Sequence, residues 1–159
     1  MKQKSEWHCS SGKDITFKEL LNKVRSHVKQ SGSIYIGTDS FLSKNKCTFA
    51  SAICLHGAEG QQGGKYFFRK VLFKREKFYG LVQRITKEVQ QSIEIAMTVA
   101  DEVPDAEIEL HLDISPSHKQ SGTSPFADML TGYAKGSGFD FKIKPYAWAS
   151  QSVADKHSK

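Results

Sequence analysis

Asp39 and Asp113 each stand near the end of a run with strand character, Ile34-Tyr35-Ile36-Gly37-Thr38-Asp39 and Glu107 to Ile114. A lone aspartate in such a place commonly serves a turn or a cap. Two brought side by side repel, and a hard divalent cation such as Mg²⁺ or Mn²⁺ relieves that repulsion while keeping several waters. Two such ions about 4 Å apart activate water and stabilise the leaving oxygen in phosphodiester hydrolysis. Two further carboxylates fit this chemistry. Glu88 falls on the helical stripe Leu81, Ile85, Glu88, Ser92, Ile95, at the edge of a buried face, whereas Glu94 falls with Lys87, Gln90, Gln91 and Thr98 on the polar face. Asp155 lies in Ser152-Val153-Ala154-Asp155-Lys156-His157. Their plainer readings are a solvated helix charge for Glu88 and a frayed end for Asp155.

The elements that must position these groups follow from periodicity and punctuation. Phe17, Leu20, Leu21, Val24 and Val28 share one stripe of a helix over Thr16 to Gln30, and Thr16 with Glu19 forms a capping box. Residues 1–14, before it, read as a flexible N-terminus. Ile34 to Asp39, Cys47 to Leu55 and Tyr66 to Lys74 read as three strands with short connections, the last two joined by the glycine-rich turn His56 to Gly64. A long helix over Tyr79 to Glu102 ends before Pro104. A fourth strand spans Glu107 to Ile114, and the Ser/Gly/Pro-rich loop Ser115 to Ser124 leads to a helix near Pro125 to Lys135. Gly136 and Gly138 end that helix, Phe139 to Lys144 is a fifth strand, and Tyr146 to His157 is a short terminal helix. No repeat or domain boundary divides residues 15–159, which read as a single α/β domain.

The order βββαβαβ(α) explains how distant carboxylates meet. In a meander the third strand runs parallel to the first, and a right-handed helical crossover then sets the fourth strand beside the first. The ends of strands one and four, with Asp39 and Asp113, come together where open α/β sheets bind ligands.

Ile36-Gly37-Thr38-Asp39-Ser40, Arg84-Ile85-Thr86-Lys87-Glu88-Val89 with Ser92-Ile93, His111-Leu112-Asp113, Lys144-Pro145 and Ser152-Val153-Ala154-Asp155 resemble the YkuK-like branch of the ribonuclease H-like superfamily. The likeness runs from about Trp7 to the end of the chain. It implies a five-stranded mixed sheet, ordered 3-2-1-4-5 and flanked by helices. It also implies an Asp-Glu-Asp-Asp set that uses Mg²⁺ or Mn²⁺ to cut nucleic acid, and Asp39, Glu88, Asp113 and Asp155 are the positions that match. Phe41 follows Asp39-Ser40 where a polar residue is expected.

Charge and composition agree with an anionic partner. The 159 residues carry a formal net charge of +6, with 38% hydrophobic and 25% charged residues, so the chain is long enough for one packed core and is not compositionally disordered. No apolar run approaches the roughly 18 residues of a membrane helix, and Met1 to Glu6 lacks the character of a secretory signal. Cys9, Cys47 and Cys54, an odd number with no CxxC pair, fit neither a zinc site nor a disulfide framework and point to the cytoplasm. The segment Lys65 to Lys77 interleaves Arg69, Lys70 and Lys74 with aromatic residues, and Lys135, Lys142, Lys144, Lys156 and Lys159 form a second basic group. Such groups neutralise phosphates while aromatics stack on bases, although strand aromatics also build cores and charged strands protect edges. His111 would share the face of Asp113, and His118 falls in the following loop. No GxxxxGK[ST] loop is present, which argues against a P-loop nucleotide site. Two functions remain in competition: a metal-dependent nuclease acting on RNA, RNA–DNA hybrid or DNA, and a non-catalytic nucleic-acid-binding or scaffold module.

Overall fold

The computed structural model describes residues 6–78, 80–115 and 126–159. Seven strands form one sheet: β1 (Trp7–Cys9), β2 (Asp14–Ile15), β3 (Ser33–Leu42), β4 (Lys46–His56), β5 (Lys65–Lys74), β6 (Ile108–His111) and β7 (Asp140–Lys142), in the order β2-β1-β5-β4-β3-β6-β7. β3, β4 and β5 are an antiparallel meander, while β6 runs parallel to β3 and β7 parallel to β6. The five strands from β5 to β7 therefore have the expected 3-2-1-4-5 order. The sheet is larger than expected at its β5 edge. There Trp7 is 4% exposed, lies under the Arg69 guanidinium at 5.3 Å and packs on Phe17, and Trp7–Cys9 pairs with β5 as a strand.

Three helices cover one face: α1 (Phe17–Lys29), α2 (Leu81–Glu102) and α3 (Ala127–Gly136). The capping box is present, with the Thr16 hydroxyl accepting from Glu19 N–H at 3.1 Å and the Glu19 carboxylate accepting from Thr16 N–H. Leu20 and Val24 of α1, Val89 and Val99 of α2, and Ile34, Ile36 and Leu110 of the sheet are buried in a common core. Each such side chain contributes about 1.5–3 kcal/mol by leaving water. The opposite face carries a π-helical turn, Ala149–Ala154, and a one-turn helix α4 (Asp155–Ser158), packed over Ala52 and Cys54. This break in the expected terminal helix lets its last turn fold across β3. The three cysteines are free, and Cys47 and Cys54 face opposite sides of β4.

Strand lengths decide where the site opens. β3 continues to Leu42, three residues past Asp39, whereas β6 stops at His111, paired with Gly37. Beyond that pair the sheet thins to one neighbour for β3, and a side chain from α2 can reach around to the other face.

Candidate metal centre

The parallel register ends at Gly37↔His111; two residues on, Asp39 is still within β3, while Asp113 lies past the end of β6 in a tight turn where Ile114 N donates to Leu112 O at 2.8 Å. Period-two alternation sends Thr38 and Ser40 toward α2 and Asp39 toward α4. Thr38 hydroxyl lies 2.8 Å from both Ser51 and Ser92 hydroxyls, a buried polar knot that fixes α2 against β3 and β4. One turn earlier on α2, Glu88 reaches Ser40, whose hydroxyl donates to Glu88 Oε2 at 2.5 Å. Oxygens of Asp39, Glu88 and Asp113 then lie within 4.8 Å of one another.

The cluster is held in a setting that opposes ionisation. Burial pushes the Asp39 carboxyl from 3.8 up to about 7, with Asp113 and Asp155 adding to the rise and the Ser158 hydrogen bond opposing it. Glu88 is raised well above the ordinary carboxyl range, first by burial and then by Asp113 and Asp39, against weaker relief from Ser40 and Arg84. Glu88 is 3% exposed, and its Oε1 has no hydrogen-bond partner. A buried carboxylate oxygen left unpaired costs free energy that a cation would recover. The donors are all hard oxygens, which suit Mg²⁺ or Mn²⁺ rather than a soft metal.

Asp155 opens α4 beside Asp39, and Ser158 closes that helix by donating to Asp39 Oδ2 at 2.9 Å. Asp155 also meets Lys159 Nζ at 3.2 Å. The turn that delivers α4 rests on Gly37, where a Cβ would stand 2.6 Å from Ser150 N. Ala149 N–H donates to His111 Nδ1 at 3.0 Å, so the other ring nitrogen, 2.9 Å from Glu109 Oε1, carries the proton. On β5, Phe68 stacks on His157 at 3.7 Å and Tyr66 hydroxyl lies 2.9 Å from His157 Nε2.

The family model described as Ribonuclease H-like matches residues 15–159. The chain belongs to the ribonuclease H-like family. A relative in its YkuK-like branch, "Uncharacterized protein YkuK" of Bacillus subtilis (strain 168), is 26% identical over 162 residues, covering 91% of this chain and 92% of the relative. No solved structure matches significantly.

In this ribonuclease H-like chain three of the four acidic positions, Asp39, Glu88 and Asp113, meet, and Asp155 stands beside Asp39. The basic positions divide. Lys70 and Lys74 are exposed on the sheet face that carries Asp39, whereas Arg69 points to the α2 side, is half-buried, and covers Trp7. Lys144 lies against Asp113, Nζ to Oδ1 at 2.9 Å. His118 and most of the loop containing it lie outside the described residues. Ser40, Ser158 and the positioning role of His111 are additions to the sequence reading. Strand alternation alone places Ser40 toward α2, but nothing local to Ser158 indicates that its turn folds back onto β3. Gln91, assigned to the polar face, is 4% exposed because the Ser51 hydroxyl draws it inward at 3.4 Å. Among the described residues, no helix is long and apolar enough to cross a membrane.

Proposed function

We infer that this chain is a divalent-metal-dependent phosphodiesterase acting on nucleic acid, with Asp39, Glu88 and Asp113 as the residues that would hold Mg²⁺ or Mn²⁺ and Asp155 completing the set. The observation that carries this reading is the convergence of three carboxyls within 4.8 Å, one of them buried with an unpaired oxygen. A bound cation supplies Lewis acidity to a phosphate oxygen and lowers the pKa of water. The protein's own contribution is orientation. Ser40 and Ser158 each fix one carboxyl, and the Thr38–Ser51–Ser92 knot holds α2 in place.

The surface beside the cluster suits a phosphate backbone. On the face that carries Asp39, strand pairing aligns Asp39, Ala50 and Lys70 in one row and Phe41, Thr48 and Leu72 in the next, with Lys46 opposite Lys74 beyond. Phe41 is 41% exposed and Leu72 is 53% exposed, and Lys46, Lys70 and Lys74 reach solvent. Exposed aromatic and aliphatic side chains between lysines provide a stacking and charge-neutralising platform. Thus Phe41, where a polar residue was expected, has a use outside the carboxylate cluster.

The test is cleavage of RNA, RNA–DNA hybrid and DNA oligonucleotides with Mn²⁺ or Mg²⁺, comparing wild type with Asp39→Asn. Metal-dependent cleavage abolished by the substitution supports the reading. A second reading, a binding module without catalysis, draws on the lysine partners of Asp113 and Asp155. Salt-sensitive nucleic-acid binding unchanged in Asp39→Asn, without cleavage of any substrate, would favour it instead.

A further inference from the structure

The cations around the carboxylate cluster are unevenly distributed. Asp39 and Glu88 are contacted by hydroxyls, Ser158 and Ser40, and neither has a lysine or arginine in ion-pair contact among the described residues. Asp113 does, because Lys144 Nζ stands 2.9 Å from its Oδ1. Both residues stand just past the ends of neighbouring strands, β6 at His111 and β7 at Lys142, where backbone hydrogen bonds still join the two chains. The β6–β7 register ends at His111↔Lys142, and Asp113 and Lys144 each follow two residues later. Leu112 N donates to Lys142 O at 2.9 Å, Ile114 N turns back onto Leu112 O at 2.8 Å, and Lys144 N donates to Ile114 O at 3.0 Å, so the two chains stay side by side through a tight turn at Asp113. Side-chain contacts then order Asp39, Asp113 and Lys144 in one row, the first two within the carboxyl cluster and the last paired with Asp113.

The row has a direction. Asp39 is 8% exposed at its inner end, the Asp113 side chain 17% exposed, and the Lys144 side chain 36% exposed at its outer end. Carboxyl oxygens without a cationic contact are therefore concentrated at the buried end, with Glu88 and its unpaired oxygen. Fixed positive charge stands at the open end, where a phosphate would arrive.

We propose that the centre takes a single divalent cation, seated among Asp39, Glu88 and Asp113, and that the Lys144 ammonium occupies the position a second cation would otherwise fill on the outer side of Asp113. This rests on the metal-dependent reading above and narrows it. Asp113 would be shared between the cation and Lys144, whose Nζ contacts its Oδ1. The ammonium's remaining N–H groups are directed to an oxygen of the incoming phosphate. Lys144 is thereby a phosphate-contacting residue of the centre itself, separate from the Lys70 and Lys74 surface. A lysine suits this task because it places a compact charge and needs no exchange with solvent ions.

Counting ions tests the proposal without any assay of cleavage. Mn²⁺ is titrated into the full chain by calorimetry, and the bound state is examined by electron paramagnetic resonance, which distinguishes isolated from spin-coupled Mn²⁺. Wild type is expected to bind one Mn²⁺ with an uncoupled spectrum. Lys144→Met, which frees the outer Asp113 oxygen, is expected to bind two with a coupled spectrum. Two ions in wild type would overturn the role of Lys144 while leaving the metal centre intact, as would a single ion in a folded Lys144→Met protein. No ion in wild type would overturn both this proposal and the metal-dependent reading. Should Lys144→Met fail to fold, the wild-type count and spectrum still decide.

Discussion

Carboxyl oxygens of Asp39 and Asp113 lie within 4.8 Å of each other, each residue standing two positions beyond Gly37 and His111, the last pair of the parallel strands β3 and β6. Their strands are separated by a crossover through the whole of α2, so this meeting is a product of topology. Because β6 ends first, the meeting point is open on one side, and Glu88 enters through it. Repulsion that would ordinarily drive such groups apart is instead locked in by burial, by hydroxyl hydrogen bonds and by the polar knot under α2.

That arrangement predicts a particular dependence of stability on pH. The folded Asp39 carboxyl is raised from 3.8 to about 7, so between these values the folded state holds a proton that the unfolded state has lost. Stability of the metal-free protein therefore falls as pH rises through this window, by up to about 4 kcal/mol from Asp39 alone, and levels off above it. Glu88, raised in the same direction, adds to the fall. Urea unfolding across the window checks this, and Asp39→Asn is expected to flatten much of the slope. Metal affinity should change oppositely and rise with pH, because binding requires the deprotonated carboxylates.

Gly37 is expected to tolerate no side chain without displacing the C-terminal turn. A Cβ there would meet Ser150 N at 2.6 Å and Ala149 C at 2.8 Å, both backbone atoms. Gly37→Ala should cost about 1–3 kcal/mol in urea unfolding. It should also weaken Mn²⁺ binding, since the displaced turn carries Asp155 and Ser158 away from Asp39. Unchanged stability and unchanged Mn²⁺ affinity would show that the turn is not seated as described.

The basic strand should separate into two classes of residue. Lys70→Ala and Lys74→Ala remove exposed charges, so each is expected to lower nucleic-acid affinity and reduce the salt slope by about 1, with stability within about 0.5 kcal/mol of wild type. Arg69→Ala should instead uncover Trp7 and lower stability, by about 1 kcal/mol as a cation–π and packing loss. Fluorescence anisotropy at several salt concentrations and urea unfolding measure the two effects separately.

Much of this was legible in the sequence because its signals are local or topological. Apolar runs bounded by turn residues located β3, β4 and β5, a helical stripe located α2, the Thr16–Glu19 box located the start of α1, and the order of elements paired Asp39 with Asp113. Glu88 was legible from its place at the edge of the apolar stripe. Trp7–Cys9 was not, since a three-residue strand has no periodicity of its own and is defined by its partners on β5. The terminal break was hidden for a similar reason. Tyr146 to His157 has helix-compatible residues throughout, and only tertiary contacts with Gly37, His111 and Phe68 divide it into a π-helical turn and α4. That Arg69 covers Trp7 was not legible either, because strand alternation gives a residue's face but not what already occupies that face.

The central claim, that the carboxylate cluster is a divalent-cation site, is tested most directly by thermal unfolding of wild type, Asp39→Asn and Glu88→Gln with and without Mn²⁺. Without metal, each substitution relieves buried repulsion and is expected to raise the melting temperature, by an amount equivalent to roughly 0.5–2 kcal/mol. With Mn²⁺, wild type should gain stability as binding to the folded state shifts the equilibrium, by about 2.7 kcal/mol at a hundred times the dissociation constant, and the variants should gain little or none. A wild-type melting temperature that Mn²⁺ leaves unmoved, or one that rises equally in all three proteins, would contradict the account.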